Sequence, residues 1–403
     1  MKLVLHHMPG NPLAAASVLV RVGWRHEPPR LLGISHFLEH VHYLGSVNYP
    51  DIDRETAVYD SEINGPTLAE ATIFFFVSLK EDFLQILPVL LDMVYNPRFD
   101  KAAVERERKV VMGATNDSSD YTPWEWVRLK ADDLVFQTDE LNSLGTGETL
   151  RSIRLEDLRE YQHRYFHTAN SHMLIAGDIE ISAIQDTLSK AEIPSTGEQP
   201  DIWRHKQEVR FYQQEKEGIH PELYVAFRFN PTGNVLLYEL LSILLGNYAN
   251  SRLFRILRQE DPLAYMVESD TRLLSDAGRF GIYLGIAEVE HEEAIWVSLS
   301  DLLKTLKEDG FSEEELSWAK RVYKLQLLRN AGNPEKIISF WSKRATWNKL
   351  ITDFKSIHKQ LGNTEQEQIR QLCCELFLPD NCYIALVGPS MPFDEERWWS
   401  KLA

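Results

Sequence analysis

The chain has 403 residues, of which 44% are hydrophobic and 26% are charged. This composition is typical of a globular protein with enough apolar material for more than one core, and it excludes a mostly disordered chain. The formal net charge of −17 argues against nucleic acid or an anionic membrane surface as the main partner, because both carry negative charge.

Cysteine usage and the N-terminal residues bear on the compartment. Cys373, Cys374 and Cys382 follow no zinc-binding spacing, and any disulfide would leave one thiol unpaired. The N-terminal residues contain no apolar stretch of about 7 residues, so no signal peptide is expected. No stretch of the sequence approaches the roughly 18 consecutive apolar residues of a transmembrane helix. The sequence therefore predicts a cytoplasmic protein.

The N-terminal half alternates predicted strands and helices. Apolar, β-branched runs predict strands at Ala14–Val22, Ala71–Val77 and His172–Ile179. Apolar residues at helical spacing predict amphipathic helices at Phe83–Tyr95 and Arg151–Tyr165. The alternation predicts an α/β layered fold.

A histidine-rich helix is predicted after the first strand. At about 100° per residue, His36, Glu39 and His40 share one face of it. Two imidazoles one turn apart can bind one zinc ion, and a carboxylate beside them can take a proton from water. The order H-x-x-E-H is the reverse of the commoner zinc-peptidase order. Chance spacing is the alternative, but the apolar neighbours predict a half-buried helix whose polar triplet faces a cleft.

The stretch His36-Phe37-Leu38-Glu39-His40, followed by a Gly-Ser turn, resembles the zinc-site helix of the pitrilysin/insulinase family of zinc peptidases. The likeness extends over nearly the whole chain. It implies that His36 and His40 bind Zn2+ and that Glu39 is the general base.

A second charged helix follows, with Asp100 as its expected cap. The resemblance implies that Glu107 is an acid near the metal, and that the third zinc ligand stands seven residues later, where this chain has Ala114. Asp117 is the candidate substitute, with Asp120 beside it, if the helix ends near Gly113 and the chain path brings either within reach. A solvated charged face is the alternative explanation of this helix.

Asn64 precedes Gly65 and Pro66. On spacing alone it is a turn residue. The resemblance implies instead an edge strand to which a peptide substrate adds, with Asn64 beside the scissile bond. Gly65 and Pro66 depart from the usual residues there, and the proline removes one backbone donor to the substrate.

An internal repeat predicts two like domains. Phe166, Asn170 and Gly177 recur as Phe377, Asn381 and Gly388, each displaced by 211 residues. A repeat of this length indicates a duplicated domain. We predict an N-terminal domain at 1–195, a linker at 196–206 and a C-terminal domain at 207–403. The resemblance implies that each domain is a mixed sheet flanked by helices, and that the two form half of a clam-shaped chamber.

The second copy has no H-x-x-E-H. It has Arg258 and, seven residues later, Tyr265. The resemblance implies that both hold the substrate carbonyl, and a guanidinium and a phenol are suitable donors for developing negative charge. An exposed helix arginine and a core tyrosine are the alternative.

Two functions follow. The first is a zinc metalloendopeptidase or processing-protease subunit that hydrolyses peptides in an enclosed chamber. Because the chain keeps both the zinc motif and the Arg/Tyr pair, a homodimer is favoured. The second, prompted by Ala114, is a non-catalytic or partner-dependent subunit of a heterodimeric peptidase.

Overall fold

The structure is a computed structural model that describes residues 1–114, 121–204, 209–217, 219–232, 234–345, 354–389, 398 and 401. The chain forms two compact units. The first comprises Met1–Asn116, Leu141–Trp203 and Leu328–Ile351, and the second comprises Asp117–Glu140, Arg204–Leu327 and Thr352–Ala403. Each unit therefore contains a segment from the other half of the sequence.

Within the described residues, each unit contains one mixed β-sheet. The strands are β1 (Lys2–His7), β2 (Leu13–Val20), β3 (Thr72–Leu79), β4 (Ser171–Gly177), β5 (Phe211–Glu215), β6 (Glu222–Phe229), β7 (Ala264–Leu273), β8 (Gly278–Ile286) and β9 (Cys382–Gly388). Among the described residues the sheet orders are β1-β4-β2-β3 and β5-β9-β6-β8-β7. In each sheet the first pair is parallel and the other pairs are antiparallel. The α/β class and the duplication are confirmed.

Helices cover both sheets. They are α1 (Ile34–Tyr43), α2 (Ile52–Ala57), α3 (Phe83–Tyr95), α4 (Lys101–Gly113), α5 (Pro123–Phe136), α6 (Gly147–Ser152), α7 (Leu155–Tyr165), α8 (Ile181–Lys190), α9 (Val235–Leu245), α10 (Arg252–Phe254), α11 (Glu292–Glu308), α12 (Glu313–Asn330), α13 (Pro334–Ala345), α14 (Phe354–Asn363) and α15 (Gln366–Leu376). None of them is long and apolar enough to span a membrane within the part of the chain that the structure describes.

The first sheet is covered on both faces. On one face, Phe74 and Phe76 of β3 join a large core with residues of β2, α1 and α3. On the other face, Leu19 and Ile73 pack with Ala345 at the end of α13. Successive strand residues point to opposite faces, and this alternation explains the two separate clusters.

The second sheet packs against α5, a helix from the N-terminal half of the sequence. A buried ionic group joins the helix to the sheet. Nε of Arg279 on β8 donates to Asp132 on α5 at 2.6 Å, and the same guanidinium also bonds to Asp270 on β7. Arg279 and Asp132 are 1% and 2% exposed.

The predicted strands lie within two residues of the observed ones, and α3 has the predicted limits. The single helix predicted at Arg151–Tyr165 is wrong, because α6 and α7 are separate. A side chain explains the break: the backbone N–H of Arg154 donates to the Asp157 carboxylate at 2.8 Å, which starts a new helix.

Candidate active site

The zinc-motif helix α1 starts from a glycine that no other residue can replace without strain. Gly33 has φ 88°, and a Cβ there would lie 2.6 Å from Cα of Gly145. The buried carboxylate of Glu27 accepts the backbone N–H groups of Gly33 at 2.6 Å and Ser35 at 2.8 Å. It therefore satisfies two donors that a helix N-terminus leaves unpaired.

The environment of Glu27 changes its acidity. Burial raises the pKa of Glu27 to about 8, although the two N–H groups and the Ser35 hydroxyl oppose that rise. Sequence reasoning missed this residue. Its cap position is six residues before Gly33, and the usual capping signal joins residues only three apart.

The two histidines of α1 are adjacent, as the one-turn spacing predicts. The ring centroids of His36 and His40 are 4.7 Å apart, and the ring planes are 85° from each other. Nδ1 of His36 is buried and has no hydrogen-bond partner among the described residues. Burial, with the neighbouring His40, lowers the pKa of His36 to about 4. His36 is therefore neutral near pH 7, which is the form of imidazole that binds a metal.

Glu107 of α4 orients the second histidine. Its Oε1 lies 2.7 Å from Nδ1 of His40. When Nδ1 donates to this carboxylate, the other ring nitrogen carries a free lone pair. Metal-binding histidines usually donate their second nitrogen to a carboxylate in this way.

Glu39 is held by a residue that the sequence did not single out. The Thr67 hydroxyl donates to Oε2 of Glu39 at 2.7 Å. Burial raises the pKa of Glu39, while this hydrogen bond opposes the rise. The raised pKa makes the carboxylate a stronger proton acceptor, as a general base near pH 7 requires.

A third zinc ligand is not found in the described part of the chain. The helix α4 ends at Gly113 as predicted, and Ala114 is its C-cap residue. The described residues contain no group of three or more His, Cys, Asp or Glu side chains that could hold a metal. Asp117 and Asp120 lie outside the described residues. The described residues therefore supply two ligands for one zinc ion, His36 and His40.

The segment 64–67 forms the edge of the first sheet. Asn64 and Phe75 exchange two backbone hydrogen bonds, of 2.9 and 2.7 Å, and Thr67 bridges to Thr72. A Cβ on Gly65 would lie 1.7 Å from the carbonyl oxygen of Ile73, so only glycine allows this close approach. The Asn64 side chain is exposed and accepts the N–H of Gly65 at 2.8 Å. The predicted edge and the predicted turn chemistry thus occur at the same residue.

Arg258 and Tyr265 lie together in the second unit. Arg258 belongs to a π-helical turn, Arg255–Glu260, and its Nη1 lies 3.4 Å from the carbonyl oxygen of Ala264. The Tyr265 hydroxyl donates to Oε1 of Glu222 at 2.6 Å, and Tyr283 bonds to the other oxygen of that carboxylate. Because the phenol of Tyr265 has one hydrogen, it can donate to a substrate only after it leaves Glu222.

The predicted residues are therefore divided between the units. His36, Glu39, His40 and Glu107 meet around α1, and Thr67 connects them to the edge segment that contains Asn64. The pair formed by Arg258 and Tyr265 belongs to the second unit.

Two family models match consecutive parts of the chain. The family model described as Insulinase (Peptidase family M16) matches residues 2–140, and the model described as Peptidase M16 inactive domain matches residues 152–323. An uncharacterized zinc protease of Bacillus subtilis, YmxG, is 28% identical over 97% of this chain and 96% of its own length. The mitochondrial-processing peptidase subunit beta of Bos taurus is 20% identical over 94% of this chain and 81% of its own length.

The fold is also shared with a solved structure. A protease from Helicobacter pylori superposes with a TM-score of 0.82 at 19% identity, and the match covers 96% of each chain. Together the two family models cover most of the chain. The first match includes the zinc-motif helix, and the second includes Arg258 and Tyr265. The chain belongs to the insulinase family, peptidase family M16.

Proposed function

We propose that this protein is a zinc-dependent endopeptidase that hydrolyses extended peptide segments. The observation that carries the proposal is the joint arrangement on α1: two adjacent imidazoles, one of them oriented by Glu107, with the buried carboxylate of Glu39 between them. His36 and His40 would hold the zinc, which supplies a Lewis acid that polarises the carbonyl and acidifies water.

The protein groups carry the proton transfers. Glu39 accepts a proton from the attacking water and delivers it to the leaving amide nitrogen, so that the C–N bond breaks with a neutral amine as product. Thr67 fixes the orientation of Glu39 through its 2.7 Å hydrogen bond. Glu107 keeps His40 in one tautomer.

The edge segment 64–67 supports the choice of an extended peptide as substrate. It is an irregular outer edge of the first sheet, and unpaired backbone groups at a sheet edge recruit an additional strand. Asn64 would flank the bond to be cleaved. Arg258 and Tyr265 would contact the substrate backbone, with Tyr265 released from Glu222 when it donates.

A second candidate function has a specific observation in its favour. Ala114 stands where the family's third ligand is expected, and the described residues supply no substitute. The relative from Bos taurus is named as a subunit, so this chain could act as a partner-dependent subunit beside a related chain. A homodimer, a closed chamber and a cytoplasmic location remain our proposals for the self-sufficient enzyme.

Metal content and peptide cleavage test the proposal together. We expect close to one zinc per chain by elemental analysis of protein prepared without chelators, and loss of that zinc in His40→Ala. Glu39→Gln is the matched control, because it should keep the zinc while cleavage of an unstructured peptide falls about 100-fold or more. A natural chain with no zinc and no cleavage would overturn the self-sufficient enzyme and favour the subunit.

A further inference from the structure

A pocket lies on the face of the first sheet that α13 covers. It encloses about 180 Å³. Its apolar walls are Pro66 and Leu68 from the edge region, Ile73 and Phe75 from β3, and Ile338 from α13. This volume is close to that of cavities, of about 150 Å³, that hold a benzene ring. The pocket is therefore large enough for one bulky side chain.

The pocket also contains an unused polar group. Ser17 of β2 lines it, is 1% exposed, and its hydroxyl has no hydrogen-bond partner among the described residues. A buried hydroxyl without a partner is unfavourable, and buried polar groups in native proteins are nearly always paired. The hydroxyl of Ser17 therefore indicates an occupant that brings its own polar atom to this wall.

The mouth of the pocket does not select for charge. One acidic residue, Glu335, and one basic residue, Lys343, line it, and both are exposed side chains of α13. Opposite charges at one opening give no net attraction for an anion or a cation. The expected occupant is therefore neutral, with an apolar body and a polar end.

The pocket adjoins the proposed cleavage site through the edge segment. Thr67, which holds Glu39, stands between Pro66 and Leu68, which line the pocket. A peptide added at this edge would direct alternate side chains toward the face that contains the pocket. Side-chain recognition here would be continuous with backbone recognition at the edge.

We propose that this pocket, the Ser17 pocket, binds a tyrosine side chain of an extended peptide, with the phenol hydroxyl bonded to Ser17. The inference rests on the proposed function, because it takes the segment 64–67 as the peptide-binding edge. It goes further by assigning a preferred residue and the groups that recognise it.

Peptide binding tests the inference separately from hydrolysis. The probes are unstructured, fluorescently labelled ten-residue peptides that differ at one central position, which is tyrosine, phenylalanine or alanine. Binding is measured on the full chain with Glu39→Gln, so that no probe is consumed. We expect the tyrosine peptide to bind about fivefold more tightly than the phenylalanine peptide, and about 30-fold more tightly than the alanine peptide.

Two further substitutions in the same background locate the effect. Ser17→Ala should remove the preference for tyrosine over phenylalanine and leave phenylalanine binding unchanged. Ser339→Phe, at an exposed position of α13 that lines the pocket, should fill the pocket. The tyrosine and phenylalanine peptides should then bind no more tightly than the alanine peptide. Ser182→Phe, at an exposed position of α8 outside the pocket, is the matched control and should change nothing.

Equal binding of the three peptides, or a tyrosine preference that survives both pocket substitutions, would overturn the inference. The outcomes also separate it from the proposed function. If the tyrosine preference depends on Ser17 but the chain binds no zinc and cleaves no peptide, the pocket inference is supported and the peptidase function is overturned. If the natural chain cleaves all three peptides equally well, the peptidase function is supported and the pocket inference is overturned.

Discussion

The hydroxyl of Tyr265 donates its hydrogen to the carboxylate of Glu222, with 2.6 Å between the two oxygens. Tyr283 bonds to the second oxygen of the same carboxylate. Burial raises the pKa of Glu222, while the two phenol hydrogen bonds oppose that rise. While this bond is made, the one hydrogen of the Tyr265 phenol is not available to another acceptor.

Removing this carboxylate should destabilise the second unit. Glu222→Ala leaves two phenol hydroxyls without their acceptor, at a cost of about 1–3 kcal/mol in the free energy of unfolding. Glu222→Gln keeps one acceptor oxygen and should lose less. Urea unfolding of the three chains measures the difference. Equal stability of the alanine and natural chains would show that the carboxylate does not hold the tyrosines.

Glu107→Gln should weaken zinc binding without removing a ligand. The amide is a poorer acceptor for Nδ1 of His40 than the carboxylate. Loss of such a partner typically weakens metal affinity by about 10–100-fold, and we expect a loss of zinc affinity of about this size. Competition with a chromophoric chelator measures the change. Glu105→Gln is the matched control, since Glu105 is exposed on the same helix and pairs with Arg108. Equal effects of both substitutions would contradict the role given to Glu107.

Gly65→Ala should displace the edge segment. The new Cβ would meet the carbonyl oxygen of Ile73 at 1.7 Å, so the backbone must move away from β3. We expect a loss of about 1–3 kcal/mol of stability and weaker peptide binding. Gly113→Ala serves as the control, because a Cβ there meets nothing within 4 Å and the φ is not left-handed. Hydrogen exchange at the amides of Asn64 and Phe75 should increase only in the first variant.

Asp132→Asn should destabilise the packing of α5 on the second sheet. It leaves the buried guanidinium of Arg279 short of one negative partner, and breaking a buried ion pair costs about 3–5 kcal/mol. The exposed pair of Asp186 and Lys190 provides the comparison. Asp186→Asn should change stability by about 0.5 kcal/mol or less. Chemical denaturation of both variants decides whether burial makes the difference.

Glu27 should make stability depend on pH. Its pKa rises from an ordinary 4.5 to about 8 on folding, so between these pH values the folded chain binds more protons than the unfolded chain. The stabilisation from this group is therefore fully present below pH 4.5 and is lost as the pH rises toward 8, by an amount on the order of a few kcal/mol.

The comparison with Glu27→Gln isolates this effect, because the other titrating groups are shared. The natural chain should lose stability relative to the variant between pH 5 and pH 8 in urea unfolding experiments. A difference that stays constant with pH would mean that the N–H groups of Gly33 and Ser35 keep the carboxylate ionised throughout.

Local patterns in the sequence determined much of the fold and the centre of the site. The amphipathic spacing of Phe83–Tyr95 gave the limits of α3, and Asp100 caps α4 by accepting the N–H of Ala103 at 2.7 Å. The spacing of His36 and His40 placed both rings on one face of α1. These features depend on residues within one or two helical turns, so periodicity and capping chemistry suffice to predict them.

The tertiary structure alone decided which distant groups meet. Glu27 caps α1, Thr67 holds Glu39 and Glu222 holds Tyr265, each through a hydrogen bond across many residues of chain or between separate elements. The sequence also did not predict that α5 belongs to the second unit and α13 to the first. The apolar face of a helix shows that the helix packs against something, but it does not show which sheet. Local sequence fixes the shape of an element and the face it buries, whereas its partner depends on the packing of the whole chain.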